Sequence, residues 1–480
     1  SLENIFKMIN CPFLALSATL ESPESLKNWM EGIKSEEVNL VEYDKRFIIQ
    51  QRFLYINNTL KHLHPLSSLD IEYLKSDEFL NCNLSFTPRD SFDLYTKLKN
   101  VTGNENIHPR NVLNKSNWDR ITLNDTLKYE KFLKSYLNNL AKENEKLAKE
   151  ILNEFNVNDN EDIDFKYDFV KLIKLLVKNK MCPAIFFKVN PRECLELYKY
   201  IVNSLLECQN IKYPFHYEDL EFKQNYFLKL EKDKEDAKKR ATIPKDTEPD
   251  MYMENIYKKI EEKLLDELKN KYQIVIDKRI NKINNDDGME SNKKQFYTRY
   301  YNKELNQVLE QKYITYIDKN RPHPDFCFND QKIDSQMMRG IRRDIKNLTG
   351  DLIDYEHPFM IGIERGIIPY FRDMEVPYQR IAQSLFSQKK IPIVISDESL
   401  AYGINLPIRT VVMIGDSNRE IDPVIASQMS GRSGRRGIDR EGNVIYVNLN
   451  WRNVLRGKYS KLEGKNPSGY HLALPYYFKK

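Results

Sequence analysis

Residues 391–415, IPIVISDESLAYGINLPIRTVVMIG, determine the predicted fold class. Two apolar runs within them, Pro392–Ile395 and Thr410–Ile414, are short and rich in β-branched residues, which is typical of buried strands. Ala184–Phe187 and Asn443–Val447 repeat this pattern, and segments with helical periodicity separate the four runs. Short buried strands that alternate with helices predict an α/β domain built on a parallel sheet.

The composition limits the class of protein. The 480 residues exceed one ordinary core and predict roughly three units at about 150 residues each. Lys and Arg total 75 against 70 Asp and Glu, and this net charge of +5 excludes nucleic-acid binding through a generally basic composition. No apolar run approaches the roughly 18 residues of a membrane span, so no membrane association is expected. Six cysteines without a C-x-x-C pair argue against a zinc module or disulfide framework, and predict a reducing, cytoplasmic location.

The segment Gln428–Gly437, QMSGRSGRRG, carries the strongest chemical signal. Glycine allows the backbone to approach an anion closely, and guanidinium groups bind phosphate oxygens in pairs. Arg432 and Arg435 are three residues apart, so on one helical turn they would share a face and converge on one terminal phosphate. Such arginines stabilise the charge of a transferring phosphoryl group. The alternative interpretation is a Gly/Arg-rich surface loop that binds no ligand.

Two further segments are weaker signals. Ser396–Pro407, SDESLAYGINLP, follows a predicted strand at the sheet edge where α/β proteins bind ligands, and the Ser399 hydroxyl is available to a nucleic-acid phosphate. An ordinary strand-to-helix connection has the same residue types. Residues 12–20, PFLALSATL, fit a buried strand that runs into a turn of small residues.

In this order along the chain, the S-A-T, G-x-N-x-P and Q-x-x-G-R-x-G-R-x-G elements resemble those of helicase superfamily 2. The QMSGRSGRRG form is similar to that of the superkiller-type (Ski-like) DExH RNA helicases. Longer strings, CPFLALSAT at 11–19, LSFTPRDSFDLY at 84–95 and PAIFF at 183–187, resemble the interferon-inducible antiviral helicase subgroup and its fungal, protist and viral relatives.

The resemblance implies a role for individual residues. Ser17, Ala18 and Thr19 would couple ATP hydrolysis to strand movement, together with Gly403 and Gly431. Phe186, Phe187 and Arg192 would mark motif IV of the second RecA-like domain, with Arg192 on the RNA. Ser399, Gly403 and Asn405 would lie in motif V, where Ser399 and Asn405 contact RNA. Gln428, Arg432 and Arg435 would form motif VI as the catalytic residues, with both arginines reaching the ATP γ-phosphate.

Two places depart from the family pattern. Gly362–Pro369, GIERGIIP, replaces the His-His-Ala-Gly-type motif of many Ski-like helicases. Asp397 and Glu398 place acidic residues beside the expected nucleic-acid track. The 480 residues also contain no G-x-x-x-x-G-K-[ST] loop and no D-E-x-H box, the motifs that hold the nucleotide and Mg²⁺. In the family both lie upstream of S-A-T, so the chain is expected to be the C-terminal portion of a helicase core, inactive alone.

The expected fold class is an α/β RecA-like parallel-sheet domain with a large charged helical insertion, preceded by the end of a first RecA-like domain. The expected domains are the end of the first RecA-like domain (1–45), a partly helical connecting region (46–165), the first part of the second RecA-like domain (166–216), the insertion (217–350), the second part (351–455) and a tail (456–480).

The expected function is ATP-dependent RNA unwinding or translocation, with ATP and Mg²⁺ as cofactors and no separate metal site. The expected partners are RNA and the remainder of the same polypeptide. Two alternatives remain open. One is a DNA helicase or translocase, and the other is a degenerate module that acts as a non-catalytic RNA sensor or scaffold.

Overall fold

The structure is a computed structural model that describes residues 8–9, 11–16, 23–34, 37–41, 48–81, 84–115, 118–157, 165–241, 249–329, 333–401, 408–415, 420–435 and 437–456. The chain divides into two compact units. The sheet unit comprises residues 1–204, 328–333 and 340–480, and the helical unit comprises residues 205–327 and 334–339.

The sheet unit is built on seven strands in the order β2-β1-β7-β6-β3-β5-β4. The strands are β1 (Ile49–Ile56), β2 (Thr59–His62), β3 (Ala184–Phe187), β4 (Ile367–Tyr370), β5 (Ile393–Ser396), β6 (Thr410–Ile414) and β7 (Glu441–Val447). The β1–β2 pair is antiparallel and the other five pairs are parallel. All residues of β3, β5 and β6 are buried, which explains their continuous apolar sequences. The predicted α/β class with a mostly parallel sheet is confirmed.

Strands β1 and β2 lie in the segment that was predicted as a connecting region. Asn57 and Asn58 join them with φ angles of 50° and 58°, the geometry of a tight two-residue hairpin turn. β1 then pairs in parallel with β7, from Ile49 opposite Glu441 to Leu54 opposite Tyr446. The sheet therefore begins well before residue 166.

The remaining elements of the sheet unit are helical. The helices are α1 (Pro23–Lys34), α2 (Ile71–Lys75), α3 (Asp77–Asn81), α4 (Pro88–Thr102), α5 (Pro109–Leu113), α6 (Leu123–Glu143), α7 (Glu145–Phe155), α8 (Phe165–Lys178), α9 (Pro191–Lys212), α13 (Ser335–Thr349), α14 (Pro358–Arg365), α15 (Val376–Ser387), α16 (Pro423–Ser430) and α17 (Trp451–Arg456), of which α9 and α13 also contribute residues to the helical unit. One apolar cluster, from Leu66 to Phe155, forms the core of α2 to α7. Helices α4 and α6 begin with capping boxes at Thr87 and Thr122.

The helical unit contains the three long helices α10 (His216–Arg240), α11 (Pro249–Asn284) and α12 (Ser291–Leu309). Leu264, Leu268, Tyr272 and Ile276 recur at helical spacing on α11 and are buried against Tyr301 and other apolar residues of this unit. This spacing explains how a segment so rich in Lys and Glu still forms a core.

The buried strand predicted over residues 12–20 is not formed in the part of it that the structure describes. Residues 12–16 have no regular structure, and Leu14 and Leu16 are 81% and 86% exposed. A strand needs a hydrogen-bonding neighbour, and none of the seven described strands pairs with this segment.

Candidate functional site

The arginine motif begins in the last turns of α16. Asp422 caps this helix, and its Oδ1 accepts hydrogen bonds from the backbone nitrogens of Val424 (2.7 Å) and Ile425 (3.3 Å). The helix ends at Ser430, after which the Gly431 nitrogen still donates to the Ser427 oxygen at 2.9 Å. Gln428 is half-buried in the final turn and Gly431 is exposed.

The two predicted phosphate-binding arginines lie beyond the end of α16. Gly434, between them, has a φ of +89°, which takes the chain out of helical geometry. The expectation that Arg432 and Arg435 share the face of one helical turn is therefore wrong. Their guanidinium groups instead have separate partners.

Arg432 joins the arginine motif to the loop after β5. Its Nε and Nη2 atoms both donate to the carbonyl oxygen of Ala401, at 2.9 Å and 2.6 Å. Ala401 ends the 3₁₀ turn Glu398–Ala401 that follows the strand. Burial lowers the pKa of the Arg432 guanidinium from its usual value. This half-buried cation thus connects the arginine motif with the loop that follows β5.

Arg435 is held by Asp439, four residues later. Its Nε and Nη2 atoms lie 2.6 Å and 2.7 Å from the two carboxylate oxygens, and its backbone nitrogen donates to Oδ2 at 3.0 Å. Arg409, which precedes β6, donates from Nε to the Asp439 Oδ1 at 2.8 Å. Burial opposes ionisation of Asp439, but the hydrogen bonds from Arg435 and Arg409 lower its pKa.

Close packing against the sheet fixes the same segment. A side chain at Gly434 would place its Cβ 2.5 Å from Cγ2 of Ile48 and 3.2 Å from the Cα of Gly442. Gln50 of β1 donates from Nε2 to the Ser433 Oγ at 2.6 Å and also to the Ser430 carbonyl oxygen. The glycine at 434 is thus required by packing on the start of β7, and Gln50 links β1 to the arginine motif.

The first residue of the acidic pair after β5, Asp397, is turned inward. This buried carboxylate accepts hydrogen bonds from the backbone nitrogens of Arg372 and Ser399, both at 3.0 Å, and from the Ser399 hydroxyl. Glu398 is half-buried, with its Oε1 3.1 Å from Nη2 of Arg372. Asp397 therefore organises the loop that carries Ser399, and the half-buried Ser399 hydroxyl retains its acceptor capacity.

The residues predicted for motif IV lie on β3 and at the start of α9. Phe186 and Phe187 are buried in β3, whereas Arg192 is exposed in the first turn of α9. Lys188 is 7% exposed and donates from Nζ to the Gly415 oxygen at 2.5 Å, which ties the end of β3 to the end of β6. Arg192 is thus a surface cation at the carboxyl edge of the sheet.

Five predicted site residues, Ser17, Ala18, Thr19, Gly403 and Asn405, lie outside the described residues. Within the described ranges, no group of three or more His, Cys, Asp or Glu side chains is placed to hold a metal ion. Nor is any helix in those ranges long and apolar enough to cross a membrane.

Sequence reasoning missed three residues that shape this site. Asp439 follows the arginine motif directly, so an acid four residues after Arg435 was an available signal. No local sequence pattern indicates a role for Arg409 or Gln50. The contact of Gln50 with Ser433, for example, spans 383 positions of sequence. Contacts of that range depend on the tertiary fold rather than on local pattern.

The chain is similar in sequence to known helicases. It is 24% identical over 94% of its length to an uncharacterized helicase of Dictyostelium discoideum, and 24% identical over 98% to the probable ATP-dependent RNA helicase DDX60-like of Homo sapiens. It is also 33% identical over 26% of its length to the antiviral helicase SKI2 of Saccharomyces cerevisiae. No family model matches the sequence.

The chain is a Ski-like helicase homologue of superfamily 2. The chain spans 22% of the Dictyostelium relative and 28% of the human relative. The relatives that match this chain are named as helicases.

Proposed function

We propose that this chain contributes a RecA-like domain to an ATP-dependent RNA helicase, in which Arg432 and Arg435 bind the γ-phosphate. The observation that carries the proposal is the contact of the Arg432 guanidinium with the Ala401 carbonyl oxygen, at 2.9 Å from Nε and 2.6 Å from Nη2. Through it, a movement of the arginine segment toward phosphate is transmitted to the loop that carries Ser399. Coupling of ATP hydrolysis to RNA movement requires such a link.

The arginines are suited to act on a phosphoryl group. Both are partly withdrawn from water, and an ionic interaction is stronger in such surroundings than in bulk solvent. A planar guanidinium offers paired donors to phosphate oxygens, and charge on those oxygens must be stabilised in phosphoryl transfer. Gln428, in the last turn of α16, completes the proposed catalytic group.

The proposal assigns the remaining ATP contacts to other parts of the same polypeptide. Mg²⁺ and the phosphate-binding loop belong to motifs that these 480 residues do not contain. When bound, Mg²⁺ neutralises the phosphate oxygens, while this chain supplies the arginines. Ser17, Ala18, Thr19, Gly403 and Gly431 are proposed to couple the two sides.

RNA is proposed to contact the carboxyl edge of the sheet. Arg192 is exposed there, Ser399 follows β5, and Asn405 belongs to the same motif. Hydroxyl and guanidinium groups bind the sugar-phosphate backbone without reading sequence. The name of the human relative, a probable ATP-dependent RNA helicase, favours RNA over DNA. Competition between matched RNA and DNA single strands on the full-length protein separates the two.

The test measures RNA-stimulated ATP hydrolysis by the full-length protein. Arg432→Ala and Arg435→Ala are each expected to lower kcat at least about 1,000-fold, as loss of an arginine finger does. Arg440→Ala is the matched control, because Arg440 is exposed in the same segment. Unchanged kcat in both variants would contradict the proposed role, and an absence of ATP hydrolysis by the full-length protein would favour a non-catalytic RNA sensor or scaffold.

A further inference from the structure

One buried carboxylate lies between two guanidinium groups at the amino-terminal edge of the sheet. The Asp439 side chain is fully buried, and Arg435 and Arg409 are 15% and 32% exposed. Arg435 contacts both oxygens of Asp439, whereas Arg409 contacts Oδ1 alone, from Nε at 2.8 Å and Nη2 at 2.7 Å. We propose that Asp439 is a positioning residue that fixes the guanidinium of Arg435, and that Arg409 anchors this carboxylate to the sheet.

The anchoring follows from the contacts of Arg409. Its Nη1 donates to the Lys180 carbonyl oxygen at 2.6 Å, and its backbone nitrogen donates to the Pro183 oxygen at 2.9 Å. Its own carbonyl oxygen accepts from the Asn443 nitrogen at 3.0 Å. Arg409 is thus tied to the segments around the starts of β3, β6 and β7. Because Arg409 binds the Asp439 carboxylate, this carboxylate has a fixed position. Its hydrogen bonds with Arg435 then fix the position of the Arg435 guanidinium.

The geometry leaves one edge of the Arg435 guanidinium for a ligand. Asp439 engages Nε and Nη2, and among the described residues no hydrogen-bond partner is seen for Nη1. A guanidinium held at two nitrogens has little rotational freedom left, so Nη1 is presented in one orientation. Two guanidinium groups share a single carboxylate, so the cluster retains a net positive charge for an anion. Asp439 itself touches no substrate in this arrangement.

The inference rests on the proposed function, because Arg435 must reach the γ-phosphate for its orientation to affect the reaction. A purely structural ion pair would instead affect stability alone. The two roles differ in kinetics. Loss of orientation lowers kcat and leaves the KM for ATP nearly unchanged, since positioning acts in the transition state.

The test is a double-mutant cycle on RNA-stimulated ATP hydrolysis by the full-length protein. Asp439→Asn is expected to lower kcat about 10- to 100-fold, the effect of a small misplacement of a catalytic group. Adding it to Arg435→Ala should give no further loss, because the group that it positions is already absent. Glu441→Gln is the matched control, a carboxyl-to-amide change at an exposed residue two positions away.

The kinetic outcomes separate the positioning role of Asp439 from the proposed role of Arg435. Unchanged kcat in Asp439→Asn, or losses that multiply in the double variant, would overturn the positioning role while leaving the proposed function intact. Unchanged kcat in Arg435→Ala would overturn both. Should Asp439→Asn fail to fold, Arg409→Gln replaces it in the same cycle. A loss of kcat that disappears in the Arg435→Ala background then supports the inference, and an unchanged kcat contradicts it.

Discussion

Each unit of this chain contains a carboxylate placed between two cations, and the two sites differ in burial. In the sheet unit, Asp439 is fully buried between Arg409 and Arg435. In the helical unit, the Glu267 side chain is 30% exposed, with its oxygens 3.1 Å from Nζ of Lys229 and 2.7 Å from Nζ of Lys271. Hydrogen bonds from the two lysines lower the pKa of Glu267. Each site thus combines one carboxylate with two cationic side chains, but the carboxylate is buried in the sheet unit and partly exposed in the helical unit.

The difference shows what burial adds to an ion pair. At the exposed site, water and salt screen the attraction, and flexible lysine chains lose entropy when they are held. At the buried site, a carboxylate without partners would be very unfavourable, so its two partners are tightly constrained. The buried arrangement therefore fixes geometry, whereas the exposed arrangement mainly keeps the helices of its unit hydrated.

The largest effect on folding is expected at the buried carboxylate. Asp439→Asn removes the charge between Arg409 and Arg435, and breaking a buried pair costs about 3 to 5 kcal/mol. All three tryptophans, Trp29, Trp118 and Trp451, belong to the sheet unit, so tryptophan fluorescence during urea unfolding reports on that unit. A midpoint equal to that of the unaltered protein would show that the buried pair does not stabilise the sheet unit.

A buried histidine of the sheet unit extends the comparison to pH. Burial lowers the pKa of His64 to about 4, its Nδ1 accepts from the Leu66 nitrogen at 3.1 Å, and its ring stacks on Phe155. Below about pH 6.5 His64 takes up a proton in the unfolded chain, whereas in the folded chain it stays neutral until the pH approaches 4. The sheet unit is therefore expected to lose about 3 kcal/mol as the pH falls from 8 to 4.

The measurement compares urea unfolding at several pH values for His64→Asn with the unaltered protein. The variant should show a correspondingly weaker pH dependence. His108→Asn is the matched control, because the Nδ1 of His108 likewise caps a helix but its ring is only half-buried. An identical pH slope in the His64→Asn variant would contradict the assignment.

A smaller effect is expected from the packing of the arginine motif. Gly434→Ala forces a side chain into a positive-φ position against Ile48, at a cost of about 2 kcal/mol. Gly437 also has a positive φ, 78°, but a Cβ there meets no atom within 4 Å. Gly437→Ala should therefore destabilise the sheet unit less than Gly434→Ala. Equal urea midpoints for the two variants would show that packing at Ile48 adds nothing to the backbone strain.

The smallest effect is expected at the exposed carboxylate. Glu267→Gln should leave the thermal unfolding of the helical unit unchanged, because the pairs with Lys229 and Lys271 are solvent-exposed. Leu268→Ala, one residue later, removes a buried leucine and should lower the unfolding temperature clearly. Far-UV circular dichroism follows both. A large shift with Glu267→Gln would remove the distinction between the two sites.

Four of the seven described strands, β3, β5, β6 and β7, could be predicted from sequence because their signals are local. Ala184–Phe187 and Thr410–Ile414 form strands with the predicted bounds, since buried parallel strands have continuous apolar sequences. The parallel pairing of β1 with β7 joins residues nearly 400 positions apart. No local pattern encodes such a contact, so the segment that forms β1 and β2 was assigned to a connecting region rather than to the sheet.

The site was predicted in composition but not in geometry. The spacing of Arg432 and Arg435 places them on one helical face only if the helix continues through them. It does not continue, because Gly434 between them has a positive φ. The acidic Asp397, expected beside the nucleic-acid track, instead accepts hydrogen bonds from the backbone nitrogens of Ser399 in its own loop and of Arg372 after β4. Partners of a charged side chain depend on the fold, which a motif does not specify.

The central claim, that the arginines of motif VI stabilise the transition state of ATP hydrolysis, is tested most directly by a transition-state analogue. With RNA present, the full-length protein should bind ADP with a metal fluoride much more tightly than a non-hydrolysable ATP analogue. Arg435→Ala should abolish the preference for the metal-fluoride complex and leave affinity for the ATP analogue nearly unchanged. An equal loss of both affinities, or a preserved preference, would contradict the account.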